Sequence, residues 1–250
     1  MKTAIITDSA ANLQKETLAK YQNLFVVPLM IVVDEKSYRD EIEITTDEVY
    51  QLLDDHDVST SLPSIDDLNK LLDQLKKDGY TDAIVLNLSS GLSRTFNAFR
   101  LAFESVEGIN ITHMDTKTLG GGLAIMVEQA CEMVSQNISI PQIIKSLNKL
   151  RYEDSIALYT IGTLKYLRKG GRIGKVEGTI GNILRIKPVI TVNDEGVYVT
   201  VSKGFGIQRS FLAMKDLLVE KFKNAAIDLI VHFGDDLEKA KQLGESLRKE

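Results

Sequence analysis

The chain has 250 residues, 44% of them apolar and 26% charged, with a formal net charge of −5. Such a length and composition predict one large globular domain or two ordinary ones, with a sizeable core, and argue against disorder. The acidic balance argues against a nucleic-acid binder, whose footprint is a basic stripe or patch.

Thr3 to Thr7 reads as a short apolar strand ending at Asp8-Ser9, and a helix pattern follows with Leu13, Leu18 and Tyr21 on one side. Phe25 to Val33 reads as a strand broken at Pro28. Thr45-Thr46-Asp47-Glu48 is a helix start, a hydroxyl cap with acids in the first turn, and that helix is expected to run to about Asp54. Ser64 caps a further helix with Leu68, Leu71, Leu72 and Leu75 at helical spacing. Ala83 to Leu88 has the continuous apolar run of a buried strand, followed by Ser89-Ser90-Gly91 and a helix from about Ser93. Ile109 to Met114 is another strand, and a long helix follows Gly120-Gly121-Gly122 through Met133. Strands alternating with helices predict a mostly parallel sheet.

A domain boundary is expected near 150–155, dividing the chain into 1–152 and 153–250. The second part begins with a strand over Ile156 to Thr160, a short helix at Thr163 to Lys169, a Gly-rich turn and a helix at about Val176 to Leu184. Val189 to Asn193 and Val197 to Val201 flank Asp194-Glu195-Gly196, which predicts a hairpin. A helix over Ser210 to Phe222, a strand over Ile227 to Phe233 and a final helix complete the pattern, a mixed α/β domain. A helix after such a strand usually returns the chain to the sheet, so a final strand is expected to be missing.

The lone cysteine, Cys131, cannot close an internal disulfide, which suits a reducing compartment. No leader-like apolar region opens the chain, and no apolar run approaches the roughly 18–20 residues of a membrane span. A cytoplasmic protein without integral membrane association is expected.

Familiar catalytic motifs are missing. Gly174-Lys175 lacks the upstream glycine and the hydroxyl of a phosphate-binding loop, and Gly204-x-Gly206 has Arg209 where a dinucleotide fingerprint needs glycine. There is no G-x-S-x-G elbow. His56, His113 and His232 have no metal-ligand spacing with one another or with Cys131. No catalytic residue, metal or cofactor is assigned. Three hydroxyl clusters remain: Asp8-Ser9, Ser59-Thr60-Ser61-Leu62-Pro63-Ser64 and Ser89-Ser90-Gly91-Leu92-Ser93-Arg94-Thr95. Each lies at a strand end or a helix start, where unpaired N–H groups and hydroxyls suit an anion. Ordinary helix capping accounts for any one of them taken singly, whereas two clusters after successive crossover elements point toward an anion site. Gly170-Gly171-Arg172-Ile173-Gly174-Lys175 is a basic loop that suits either an acidic partner or plain solvent.

The order of these segments resembles the DegV family, the fatty-acid-binding proteins that serve bacterial fatty acid kinase in phospholipid metabolism. The resemblance runs through Ile6-Thr7-Asp8-Ser9-Ala10, Tyr38-Arg39-Asp40, Thr60-Ser61-Leu62-Pro63-Ser64, Leu88 to Thr95, Thr163 to Leu167, Gly171-Arg172-Ile173 and Ile186-Lys187-Pro188. It implies a two-domain α/β fold that buries a long-chain fatty acid between its domains. It places the carboxylate on Thr60, Ser61 and Ser93. Asp8, Ser9, Arg94, Thr95, Gly162 and Thr163 become candidates for headgroup contact or tunnel lining. Arg172 falls in the loop associated with engaging the kinase, which would supply ATP. The chain departs from the family where glutamine is common at Leu62 and glycine at Arg94. The family's Gly/His-containing C-terminal strand would fall beyond Glu250, and His232 is not its counterpart. The rival reading is an enzyme acting on a small phosphorylated metabolite through the same anion site, with Asp8 as its best acid; an adaptor that docks through the Arg172 loop is a third.

Overall fold

A run of six buried residues opens the fold. Thr3–Asp8 (β1) is inaccessible along its whole length, and Asp82–Asn87 (β6) matches it. Only a strand covered on both faces reads this way, and the covering is by helices. The computed structural model describes residues 2–176, 186–223, 225–234 and 236–248, which fall into two units, Met1–Ser155 and Ile156–Glu250.

In the first unit the main sheet has the order β2-β1-β6-β7, with β2 at Leu24–Val27 and β7 at Asn110–Asp115, and every pairing is parallel. Ile5, Ile84 and Leu86 face one helical layer, packing with Leu123, Met126 and Val127 of Gly121–Ser135 (α5) and with Ile143 and Leu147 of Ile140–Lys149 (α6). Ala4, Ile6, Ala83 and Val85 point the other way. They meet Leu68, Leu72 and Leu75 of Ile65–Lys77 (α3) and Phe99 and Phe103 of Thr95–Phe103 (α4). The alternation of side chains along each strand divides the core into two halves, one per face. The remaining helix of this main layer, Lys15–Lys20 (α1), joins β1 to β2.

Pro28 ends β2, and the chain enters a second sheet. Met30–Val33 (β3) pairs antiparallel with Lys36–Arg39 (β4) and with Val58–Ser61 (β5). Asp34 and Glu35, both at positive φ, make the two-residue turn between β3 and β4; this is the turn geometry that matches strand twist. Thr46–Leu52 (α2) covers this sheet with Val49 and Leu52 against Ile31 and Val33. Its start is the hydroxyl cap expected there, closed in the structure into a capping box: the Thr45 hydroxyl accepts from Glu48 N, and the Glu48 carboxylate accepts from Thr45 N at 2.8 Å. The helix ends at Leu52, two residues before the expected Asp54.

The second unit has a three-stranded antiparallel sheet, β10-β9-β8, built from Tyr198–Phe205, Ile186–Val192 and Leu158–Thr160. The expected hairpin is present. Among the described residues its helices include Lys165–Lys169 (α7), Ile207–Lys221 (α8) and Leu237–Leu247 (α9). The helix expected over Val176 to Leu184 lies outside the described residues after Val176.

The strand expected over Ile227 to Phe233 does not form. The segment carries no strand pairing, and Ile227 and Phe233 are 45% and 52% exposed. A strand is defined by its neighbour, and this segment pairs with none of the described strands.

Candidate functional site

Strand order locates the site. From β1 the chain moves to β2 on one side, whereas β6 and β7 lie on the other. The loops leaving the carboxyl ends of β1 and β6 therefore diverge, and the crevice between them is where ligands sit in open parallel sheets. Asp8 ends β1 and Asn87 ends β6. Two of the three hydroxyl clusters follow those residues directly.

Asp8 faces inward. It is 0% exposed, and its Oδ2 accepts from Asn87 Nδ2 and from Leu88 N, both at 2.9 Å, while Oδ1 accepts from Ala10 N at 3.1 Å. Burial pushes its carboxyl up to about 6; the three hydrogen bonds oppose that rise without cancelling it. Ser9 is also engaged. Its Oγ accepts from Leu29 N at 3.0 Å and donates to the Asp40 carboxylate, itself held above the usual carboxylate range by burial. These two residues were candidates for headgroup contact; the geometry gives them to the frame.

The loop after β6 is anchored at almost every residue. Leu88 N donates to Asp8, Ser89 N to Thr118 O and Ser90 N to Asp115 Oδ1. Gly91 N donates to Ser89 Oγ, and Leu92 N and Ser93 N to Ser89 O. Asp115 also takes Lys117 N at 3.2 Å and Lys117 Nζ at 2.7 Å. Burial alone would raise the Asp115 carboxyl, but the Lys117 and Ser90 bonds outweigh it and leave it lowered. At the end of this loop the half-buried Ser93 Oγ accepts from Thr95 N at 3.2 Å and lies 2.8 Å from the buried Thr95 Oγ1. The Ser93 oxygen thus accepts from the first-turn amide of α4, and where Thr95 Oγ1 donates to it as well, the Ser93 hydroxyl proton is the group left to donate to a ligand carboxylate. Arg94 is exposed and has no side-chain partner among the described residues.

Thr60 and Ser61 reach the same end of the sheet by a different route. They sit in β5, a strand that the sequence did not announce, opposite Ile31 and Met30. Met30 follows Leu29, the residue whose amide Ser9 holds. Both hydroxyl residues are exposed, and neither side chain has a partner among the described residues. Ser64 caps α3 through Asp66 N at 3.2 Å. Arg39 of β4 clamps Asp67 of that helix through Nε and Nη2, at 2.9 to 3.1 Å.

An open groove of about 480 Å3 lies elsewhere, between β2 and α3, with Phe25, Pro28, Ile42 and Leu71 in its wall. It includes none of the hydroxyl residues, so this groove is not the hydroxyl site. The remaining candidates belong to the second unit. The Thr163 hydroxyl accepts from Lys165 N at 3.1 Å, Gly162 O accepts from Lys187 Nζ, and the Arg172 guanidinium donates to Gly170 O.

The sequence offered His113 as a strand-end histidine near the turn acid Asp115, and the structure ties it into the junction of β6 and β7. Its Nε2 lies 2.7 Å from Asn87 Oδ1, and its ring stacks on Phe96 with centroids 4.1 Å apart. Burial, aided by the Arg100 charge and opposed by Asp115, pulls its pKa down to about 4. No described group of three or more His, Cys, Asp or Glu is placed to hold a metal.

A family model described as "Uncharacterised protein, DegV family" matches residues 2–250. The chain belongs to the DegV family. A DegV domain-containing protein of Clostridium perfringens is 37% identical over 246 residues, 98% of this chain and 87% of the relative. Among solved structures, the fatty acid binding DegV family protein of Streptococcus agalactiae superposes with a TM-score of 0.88 at 27% identity, covering 100% of this chain and 88% of that one. A stearic acid-binding protein of Eubacterium ventriosum gives 0.86 at 29% identity, covering 100% and 87%. The α/β fold is thus that of DegV structures over the whole chain. Among the described residues of this DegV protein, no helix is long and apolar enough to cross a membrane.

Proposed function

We propose that this DegV family protein binds a long-chain fatty acid, holds its carboxylate with Ser93 and the Thr60–Ser61 strand end, and presents it to a kinase that supplies ATP. The observation that carries the reading is the loop after β6. Its backbone donors from Leu88 to Ser93 are consumed internally. What it offers outward is the Ser93 hydroxyl beside the exposed Arg94. Neutral hydroxyls hold a carboxylate without a bound metal, and leave its outer oxygen open to phosphoryl transfer. Affinity would come from the chain rather than the head. At about 0.8 kcal/mol per buried methylene, about fifteen methylenes supply on the order of 10 kcal/mol before ordering costs. The relatives described as fatty acid and stearic acid binding support the ligand class.

The kinase partner and the part of the Arg172 loop in engaging it extend this reading. The enzyme alternative loses its best acid, because Asp8 is 0% exposed and turned onto backbone amides.

Mass spectrometry of the purified protein, native and after organic extraction, tests the proposal. A co-purifying fatty acid is expected. A phosphorylated metabolite in its place, or acyl phosphate formed from ATP by this chain alone, overturns it.

A further inference from the structure

Asp8 is a buried carboxylate with no exposed face, standing at the point where the sheet order reverses. Its two oxygens accept from groups on both sides of that point. Ala10 N belongs to the turn after β1; Leu88 N and Asn87 Nδ2 belong to the end of β6. The turn after β1 also carries Ser9, which fixes Leu29 and through it the start of β3, the strand that pairs with Thr60 and Ser61. The segment after Leu88 carries Ser93. One carboxylate therefore lies on a bonded route between the two halves of the proposed headgroup site.

We infer that Asp8 is a positioning residue for the ligand carboxylate: by joining Ala10 N to Leu88 N it sets the separation of Ser93 from the Thr60–Ser61 strand end, without touching the ligand. The inference rests on the proposed fatty-acid reading for its functional half. A neutral amide cannot replace the carboxylate. Two of the three donors aimed at Asp8 are backbone N–H groups, one at each oxygen, so an Asn side chain must set its own NH2 against one of them. A buried donor left facing a donor forces the two segments apart. Asn87 has the supporting role: its Oδ1 faces His113 Nε2 and its backbone oxygen accepts from Thr116 Oγ1 at 2.7 Å, which ties this junction to the end of β7.

The test compares Asp8→Asn with Leu75→Ala. Leu75 is fully buried at the far end of the same core half, beside the amino end of β6. Displacement of a fluorescent fatty acid by stearate gives affinity, thermal unfolding gives stability, and amide hydrogen exchange is read at Leu88 and Ser93. Asp8→Asn is expected to weaken stearate binding by about tenfold, the order of one buried hydrogen bond to a charged group, and to speed exchange at both amides. Leu75→Ala is expected to lower stability with affinity and loop exchange unchanged. Equal loss of affinity in the two variants, or unchanged exchange at Leu88 and Ser93 in Asp8→Asn, overturns the positioning role. A wild-type protein that binds no stearate overturns the proposed function instead, and the exchange measurement still decides whether Asp8 holds the loop. If Asp8→Asn does not fold, Asn87→Ala removes one donor and leaves both backbone bonds. A smaller loss of affinity with faster Ser93 exchange supports the role, and no change in either overturns it.

Discussion

His113 Nε2 lies 2.7 Å from Asn87 Oδ1, and that contact determines which ring nitrogen holds the proton. The other end of the Asn87 carboxamide, Nδ2, donates to Asp8 Oδ2 at 2.9 Å, so the oxygen must be the atom facing His113. An oxygen accepts, so Nε2 carries the hydrogen and Nδ1 does not. The strand-end carboxylate and the β7 imidazole are thereby joined through one amide, with no water needed between them.

The two titrating ends of this relay pull stability in opposite directions with pH. Asp8 has a folded pKa of about 6, above its unfolded value, so it favours the fold at low pH and loses that contribution as pH rises through about 6. His113 has a folded pKa of about 4, below its unfolded value, so its contribution is present above about 6.5 and is lost as pH falls toward 4. Each shift is on the order of 3 kcal/mol, so the two slopes nearly cancel between pH 4 and 6. Urea unfolding across that range should show His113→Gln losing stability as pH rises relative to wild type, and Asp8→Asn losing it as pH falls. Parallel profiles for both variants would mean the relay does not titrate as described. The Asp115 and Arg100 charges that face His113 are unchanged in both variants.

Cys131 should be inert in the folded protein. It is 1% exposed within the α5 face of the core, and burial pushes its thiol up to about 12. The thiolate is the reactive form, so an aromatic disulfide reagent at pH 8 should label it only after unfolding, with one equivalent released in denaturant. Rapid labelling of native protein would contradict the packing of α5.

Gly204→Ala should disrupt the second unit. A Cβ at Gly204 would lie 2.4 Å from Ser210 N and 2.5 Å from Ser210 Oγ, and Ser210 is itself committed, donating to Lys187 O at 2.6 Å. The clash is with the backbone of α8, which cannot rotate away. A loss of several kcal/mol, or failure to fold, is expected by analogy with overpacked cores. A thermal midpoint within a few degrees of wild type would show that α8 can move off β10.

Local chemistry was legible in the sequence, and pairing was not. Thr45 and Glu48 announce their helix because both halves of a capping box lie within four residues. Pro28 marks the change of sheet, and Asp194-Glu195-Gly196 marks the hairpin, for equally local reasons. β4 and β5 escaped notice because each is four residues long and rich in polar side chains, so neither shows an apolar alternation. α6 escaped because its apolar face follows closely on α5 with Pro141 in its first turn. The 227–233 segment misled for the reverse reason, having strand composition without a described neighbour. Ser93 and Thr60 were legible as hydroxyls at element ends, but the burial of Asp8 depends on Asn87 and Leu88, some 80 positions away.

Thr60 and Ser61 should not contribute equally to carboxylate binding. Consecutive residues of a strand point to opposite faces, and both belong to β5. Thr60 shares the face of its partner Ile31, and Ser61 that of Met30. One carboxylate therefore meets at most one of the two hydroxyls directly. Thr60→Val keeps shape and β-branching while removing the hydroxyl, and Ser61→Ala removes the other. Neither hydroxyl has a partner among the described residues, so each substitution should change stability by no more than about 0.5 kcal/mol. Ser93→Ala differs, because its oxygen also accepts from Thr95 N, so it should cost about 1 kcal/mol of stability as well as affinity. Stearate titrations on the three variants should then show a loss for Ser93→Ala and for only one of the strand pair. Equal losses at Thr60 and Ser61 would require β5 to end before Ser61 in the liganded protein. No loss at either would move the carboxylate away from this strand, leaving Ser93 and Arg94 to hold it.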